Sequence, residues 1–266
     1  MTRDYSGYVD PDYLDAAARL LLPSKLRTYE LMELREGHRV LDLGCGPASD
    51  TIALAGIVGE TGHVVGVDAD AEMVAEANER ASAAELAGRV THDHADAASL
   101  PFDDDSFDSC RSERVFQHLP DPTAALAELI RVTRPGGRIV ILDTDYGSGS
   151  IATEFPEIER RLFEQYCSMM NGPFVARLLY RMFKAADLDD VTVEPAPFII
   201  DDIDVFSTMF ILDRGLREAE ESGRLASDEV RRFRADLEQS AEIGGFLACA
   251  NQLLVTGKKP LAAAGS

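Results

Sequence analysis

Val40-Leu41-Asp42-Leu43-Gly44-Cys45-Gly46-Pro47, with the helical run Asp50–Val58 close behind it, decides the fold. A short apolar run carrying one acid stops at two glycines, and a helix begins almost at once. Outward from this stretch, strand-like and helix-like patterns alternate. Arg39–Leu43 reads as a first strand and His63–Val67 as a second, rich in valine. Asp70 caps a helix expected over Ala71–Ala87, with Glu72 near its positive end. Val90–His94 and Phe107–Ser112 follow as strands, and Asp121-Pro122 opens a helix through Val132. Arg134-Pro135-Gly136-Gly137 is a turn into a fifth strand, Arg138–Asp143. Five strands alternating with helices form βαβ units, hence an α/β fold whose parallel sheet is covered on both faces.

The flanks are less regular. Tyr13–Leu22 and Leu26–Leu34 carry helical spacing interrupted by Pro23, so residues 1–36 read as an N-terminal helical cap. Gly147-Ser148-Gly149-Ser150 reads as a flexible connection, after which Phe155, Ile158, Leu162, Tyr166 and Met169 repeat at helical spacing. Phe174–Ala186 is helical, and Val191–Val193 is a short strand limited by Pro195 and Pro197. Ile203–Gln239 reads as two helices around Gly215–Ser227, with Ser227 as a cap, and Phe246–Thr256 returns to strand composition. The resulting division is a core at 37–146, a helical insertion at 147–172, more core at 173–202, a second insertion at 203–245 and a last strand within 246–260.

Composition narrows the function. The chain of 266 residues has 26 Lys and Arg against 47 Asp and Glu, a net charge of −21. That balance disfavours nucleic acid and anionic membranes as partners and fits solubility or a salty, acid-rich setting. The N-terminus has no apolar signal-peptide core, and no run approaches the length of a membrane span. Cys45, Cys110, Cys167 and Cys249 are isolated, which points to free thiols in a reducing cytoplasm and to no cysteine-held metal. The expected partner is a small-molecule substrate, with the chain a monomer or homodimer.

Ligands of open parallel sheets bind beyond the carboxyl ends of the strands. Gly44-Cys45-Gly46 follows the first strand and permits close backbone approach beside a helix N-terminus. Asp68 ends the second, 22 residues past Gly46, and can accept hydrogen bonds from both hydroxyls of a ribose. Asp96-Ala97 follows the third and offers an adenine edge a carboxylate and an amide. Each signal alone has an ordinary explanation, a tight turn or a helix cap, and the glycines do not complete G-x-G-x-x-G. Together they imply a ligand containing adenosine.

Val40-Leu41-Asp42-Leu43-Gly44-Cys45-Gly46-Pro47 also resembles the first motif of class I S-adenosylmethionine-dependent methyltransferases. Val64–Asp68 looks like that family's ribose-binding strand end. His94-Ala95-Asp96-Ala97, Leu100-Pro101-Phe102 and Ser106-Phe107-Asp108 are similar to its adenine-binding segment and fourth strand. Val115–Pro122 and Arg134–Arg138 extend the likeness towards bacterial small-molecule enzymes related to the ubiquinone and menaquinone methyltransferases. The resemblance implies a Rossmann-like, seven-stranded, mostly parallel sheet with an antiparallel last strand and helical insertions. It departs at Ala48, where many members carry a third glycine.

Carried over by position, the resemblance implies that Asp42, with the backbone of Gly44 and Cys45, holds the methionine part of S-adenosylmethionine, and that Gly46 admits it closely. Asp68 would take the ribose, with Ala69 and Met73 flanking the adenine and Asp96 and Ala97 on its edge. Arg111 and Gln117 would border the methionine moiety. Met73 is equally explained by helix packing, and Arg111 by an internal salt bridge. The product would be S-adenosylhomocysteine, and no metal is implied.

A sulfonium is already electrophilic, so the protein mainly aligns a nucleophile. His118 is the first candidate for a base, the alternative being that it orients its loop. Asp145 and Tyr146, just past the fifth strand, are candidates for placing substrate, and Tyr5, Tyr8 and Tyr13 for closing over the cofactor. Phe155, Phe163, Tyr166, Met169, Met170, Phe206, Met209 and Phe210 suit an apolar or aromatic acceptor, or else are helix core or a dimer contact. No Asn-Pro-Pro-Tyr follows the fourth strand, which favours carbon or oxygen methylation over nitrogen. The rivals are a non-methylating S-adenosylmethionine sensor or cyclase and an NAD-dependent oxidoreductase. The second is disfavoured because the acid before the glycines suits a cation better than a pyrophosphate.

Overall fold

The computed structural model describes residues 11–261, and side chains from residue 20 onward. Tyr5, Tyr8 and the Tyr13 side chain lie outside the described residues. Seven strands form one sheet in the order β3-β2-β1-β4-β5-β7-β6. They are β1 Arg39–Leu43, β2 His63–Asp68, β3 Val90–His94, β4 Phe107–Glu113, β5 Thr133–Ile151, β6 Asp189–Ile200 and β7 Ala248–Lys258. The helices are α1 Pro11–Leu31, α2 Ser49–Val58, α3 Ala71–Ala83, α4 Pro122–Val132, α5 Pro156–Met169, α6 Val175–Ala185, α7 Ile203–Phe210, α8 Leu212–Glu221 and α9 Ser227–Glu242.

β1 pairs in parallel with β2 and β4, β2 with β3, and β4 with β5. β7 runs against β5: the Gly136 N–H reaches the Lys259 carbonyl at one end and the Ala152 N–H reaches the Leu247 carbonyl at the other. The sheet is therefore mostly parallel with an antiparallel last strand.

The chain divides into two compact units. One comprises Lys25–Asp143, Val175–Glu194 and the chain from Leu253. Its core joins Leu41, Leu43, Val65 and Val67 to Phe107, Phe116, Leu129, Ile139, Ile141, Leu179 and Phe183. β1 is buried from Val40 to Leu43, as a parallel strand covered on both faces must be. Asp70 and Asp121 cap α3 and α4, each carboxylate accepting two backbone N–H groups of the first turn. The other unit comprises the chain to Ser24, Thr144–Phe174 and Pro195–Gln252, with a core of Ile158, Leu162, Phe163, Tyr166, Phe198, Phe206, Leu216, Phe233, Leu237 and Phe246.

Several expected boundaries are corrected. α1 continues through Pro23 as one helix. Gly147–Ser150 is strand, the outer part of β5. It pairs with β7 through the Asn251 N–H on Ser148 Oγ, 2.9 Å. Gly149 is required there because the Phe163 ring lies 2.0 Å from where its Cβ would be. Arg134–Gly137 belongs to β5 as an irregularity, the register jumping from Phe107↔Thr133 to Ser109↔Arg138. β6 runs on through Pro195 and Pro197 because it is the outermost strand, where a missing N–H costs little. The stretch from Ile203 holds three helices, and Ala226 rather than Ser227 is the cap of the third. Gly215 does not break α8; it makes room for the Tyr166 ring, 2.5 Å from its would-be Cβ.

Candidate active site

Because β1, β2, β3 and β4 are parallel and in register, the turns after them open at one edge of the sheet. Gly44 there has φ +77°, and its N–H and that of Cys45 both donate to the Val67 carbonyl, at 2.7 and 3.0 Å. A Cβ on Gly44 would lie 2.1 Å from Val115 Cγ2. Gly46 is different: φ is +49°, and nothing lies within 4 Å of where its Cβ would be. The turn thus offers carbonyls and an uncovered backbone, not a side chain. The Cys45 thiol is 5 % exposed and turned towards Gly66 of β2, and burial pushes its pKa up. Ala48, in place of a third glycine, takes φ 71° and stands at the N-cap of α2.

Asp68 ties two of these turns together. One carboxylate oxygen accepts the Gly46 N–H at 2.9 Å and the other the Asp70 N–H at 3.0 Å. Ala69 is exposed and Met73 half-buried on the first turn of α3. After β3, Asp96 is exposed and accepts the Ala98 N–H at 2.9 Å, while Ala97 is buried beside it. Asp68 and Asp96 thus place one carboxylate after β2 and another after β3.

Under the glycine turn lies a buried charge cluster. Arg111 projects from within β4, 1 % exposed, and its Nη1 contacts Asp42 Oδ1 at 3.0 Å and Asp50 Oδ1 at 3.1 Å. Its Nη2 meets Glu113 at 2.5 Å. Asp50, in the first turn of α2, also takes Lys25 Nζ at 2.7 Å and the Tyr29 hydroxyl. Glu113 has Lys25 at 3.9 Å and Arg114 at 3.5 Å. Asp42 shares a single cation with two other carboxylates and is the least compensated of the three. Burial accordingly pushes it up to about 7, Arg111 opposing and Asp50 and Glu113 adding repulsion. Burial acts on Asp50 too, but Arg111, Lys25 and the Tyr29 hydroxyl hold it below the usual carboxylate range.

Beyond β4, Phe116–His118 forms a single 3-10 turn. The buried Gln117 donates its backbone N–H to Asp143 at 3.3 Å, and its side-chain amide nitrogen lies 3.0 Å from His118 Nε2. An amide nitrogen only donates, so His118 Nε2 accepts. Gln117 Oε1 is buried with no hydrogen-bond partner among the described residues. Among the described residues no group of three or more His, Cys, Asp and Glu could hold a metal, and no helix is long and apolar enough to cross a membrane.

A methyltransferase-domain family model matches residues 34–187, more than half of the chain. The chain belongs to the class I S-adenosylmethionine-dependent methyltransferases. It is 33% identical over 231 residues to an uncharacterized 37.1 kDa protein in transposon TN4556 of Streptomyces fradiae, a match covering 84% of this chain and 66% of that protein. It is 31% identical over 186 residues to demethylmenaquinone methyltransferase of Bacillus cereus, covering 64% of this chain and 78% of the relative. The solved YcgJ protein of Bacillus subtilis superposes with a TM-score of 0.64 at 25% identity, over 91% of this chain and all of the other.

Within this methyltransferase, the structure gathers Asp42, Gly44, Cys45, Gly46, Asp68, Ala69, Met73, Asp96, Ala97, Gln117 and His118 in one unit, on or after parallel strands of one sheet. Arg111 lies inside β4 and makes the internal salt bridges weighed as its alternative. Asp145 and Tyr146 lie inside β5, not beyond it, and in the other unit. Asp145 is buried and accepts the Gly147 N–H at 3.2 Å. Of the Phe and Met set, Phe163, Tyr166 and Phe206 are core, and Phe206 stacks on Phe210 with centroids 4.8 Å apart. Sequence reasoning missed Lys25, Tyr29, Asp50 and Glu113. One signal was available: Arg111 stands inside the strand expected over Phe107–Ser112, and an arginine buried within a sheet has to be paired, so acids had to converge on it.

Proposed function

We propose that this chain transfers the methyl group of S-adenosylmethionine to carbon or oxygen of a small, apolar or aromatic molecule. The observation that carries the cofactor reading is the under-compensated Asp42 at the root of the glycine turn. A buried carboxylate sharing its one cation attracts an ammonium or sulfonium and repels a pyrophosphate, which favours this cofactor over NAD. Gly46 adds to the fit, since the open space where its Cβ would be lets a ligand approach the backbone.

When bound, S-adenosylmethionine supplies an electrophilic methyl on a positively charged sulfur. Asp42 and the carbonyls of Gly44 and Cys45 would hold its methionine portion, Asp68 its ribose, and Asp96 and Ala97 its adenine, with Ala69 and Met73 beside the ring. Gln117 Oε1, buried and without a partner among the described residues, is a further acceptor for the methionine end. For His118 the orienting role is better supported than that of a base, because its Nε2 lone pair already accepts from Gln117. Asp145 and Tyr146 stay as candidates for placing the acceptor. The surplus of acidic residues favours a small acceptor over nucleic acid, and the half-buried Phe155, Met169, Met209 and Phe210 favour an apolar one.

Calorimetric titration with S-adenosylmethionine, S-adenosylhomocysteine and NAD tests the cofactor, and we expect micromolar binding of the first two only. NAD binding without a response to the sulfonium compound overturns the reading. Transfer of a labelled methyl group across a panel of phenols, quinones, polyketides, amines and fatty acids tests the acceptor. Products methylated only on nitrogen would overturn the preference for carbon or oxygen.

A further inference from the structure

Tyr29 of α1 and Asp50 of α2 touch none of the ribose- or adenine-facing residues, yet both bear on Asp42 through Arg111. Arg111 Nη1 is shared between Asp42 Oδ1 and Asp50 Oδ1 at nearly equal distances, 3.0 and 3.1 Å. The Tyr29 hydroxyl donates to the same Asp50 oxygen, and the Tyr29 ring lies under the guanidinium with its centroid 5.2 Å from Cζ. Lys25 Nζ holds the other Asp50 oxygen at 2.7 Å. We propose that Tyr29 and Asp50 are positioning residues for cofactor binding: Asp50 competes with Asp42 for Arg111, Tyr29 satisfies Asp50 and so eases that competition, and together they set the negative charge Asp42 presents to the cationic end of the ligand.

The proposal rests on the S-adenosylmethionine reading above. The groups facing Asp42 are Arg111 and Glu113 from β4, Asp50 from α2, and Lys25 and Tyr29 from α1. The Cys45 thiol in the turn lies in the field of Asp42 and of Asp68. A cation placed beside Asp42 favours its carboxylate, so binding expels a proton wherever free Asp42 is protonated. Affinity then weakens as pH falls below about 7, by up to tenfold per pH unit for one proton.

The two residues act on this acid limb in opposite directions. Asp50→Asn removes a neighbouring negative charge and leaves Arg111 to Asp42, so the limb moves to lower pH. Tyr29→Phe strips Asp50 of a donor, Asp50 draws harder on Arg111, and the limb moves to higher pH. Shifts of about half to one pH unit are expected.

The test is calorimetry of the full chain with S-adenosylhomocysteine and S-adenosylmethionine between pH 5 and 9, on wild type, Tyr29→Phe and Asp50→Asn. Opposite displacements of the limb support the proposal. Limbs that stay in place, or move together, overturn it alone, because wild-type binding leaves the cofactor reading standing. A wild type that binds neither compound at any pH overturns that reading and takes this proposal with it. If Asp50→Asn does not fold, Lys25→Gln replaces it: losing that cation has to move the limb upward, as Tyr29→Phe does, and an unmoved limb counts against the proposal.

Discussion

Gly44 and Gly46 stand two residues apart and are glycine for different reasons. Gly44 needs both a positive φ and the absence of a methyl that would sit 2.1 Å from Val115 Cγ2. The left-handed conformation alone costs an L-residue about 1–2 kcal/mol, and the clash adds to it. Gly44→Ala should lower the urea midpoint sharply, and adding Val115→Ala should recover part of the loss by removing the clash and leaving the strain. A double variant no better than the single one would show that Val115 is not the obstacle. Asp68 has a structural part beside the ribose contact proposed for it, because its carboxylate already holds the Gly46 and Asp70 amides. Asp68→Ala should therefore weaken S-adenosylhomocysteine binding tenfold or more and also cost about 1 kcal/mol of stability. Titration beside chemical denaturation separates the two effects, and an unchanged dissociation constant would remove Asp68 from the site. The placement of Asp68 and of the glycine turn at the strand ends was legible in the sequence, since both belong to a local strand-to-helix pattern. Tyr29, Lys25 and Asp50 were not legible, because what gives them a role is convergence on Arg111 from elements 60 to 90 positions away.

The strands and helices from Arg39 to Val132 follow their local signals closely: Asp70 and Asp121 cap where the sequence places them, and β3 has the expected ends. Two of the misreadings share one cause, glycine taken as a break where it makes room for a ring. Gly149 lies inside β5 against Phe163, and Gly215 inside α8 against Tyr166. Nothing in the neighbouring sequence announces a ring arriving from another helix. The same substitution should therefore act with opposite signs in two helices. In α2, Gly56 is exposed with nothing within 4 Å of its would-be Cβ, so Gly56→Ala should stabilise by up to about 1 kcal/mol. In α8, Gly215→Ala makes the same helical gain but pushes a methyl into Tyr166, a conflict costing about 1–3 kcal/mol. Thermal unfolding of the two variants checks this; two shifts of the same sign would contradict it.

For the whole molecule, the buried cluster links stability to pH in two opposed windows. Asp42 is raised above its ordinary 3.8, so its stabilising contribution is complete below that value and is lost as pH rises towards about 7. Asp50 is lowered, so its contribution is present above the ordinary carboxylate range and is lost as pH falls beneath it. Asp42→Asn removes only the first effect. The melting temperature of this variant relative to wild type should therefore move in the variant's favour between pH 5 and pH 8, while its affinity for S-adenosylhomocysteine falls. A difference independent of pH would mean that Asp42 titrates as an ordinary carboxyl. The charge cluster would then be a structural knot and nothing more, since destabilising a site for the sake of binding leaves such a trace.

The chain passes between its two units at five points, and four of them fall inside regular elements: between Ser24 and Lys25 in α1, Asp143 and Thr144 in β5, Glu194 and Pro195 in β6, and Gln252 and Leu253 in β7. Neither unit is a contiguous fragment of the gene. A graft from a homologous protein would need four joints aligned within a strand or helix, and in the three strands slipping by one residue turns each following side chain to the opposite face. Recombination of fragments is thus a poor route to new variants of this protein, and its diversification has to proceed through single substitutions on an undivided backbone.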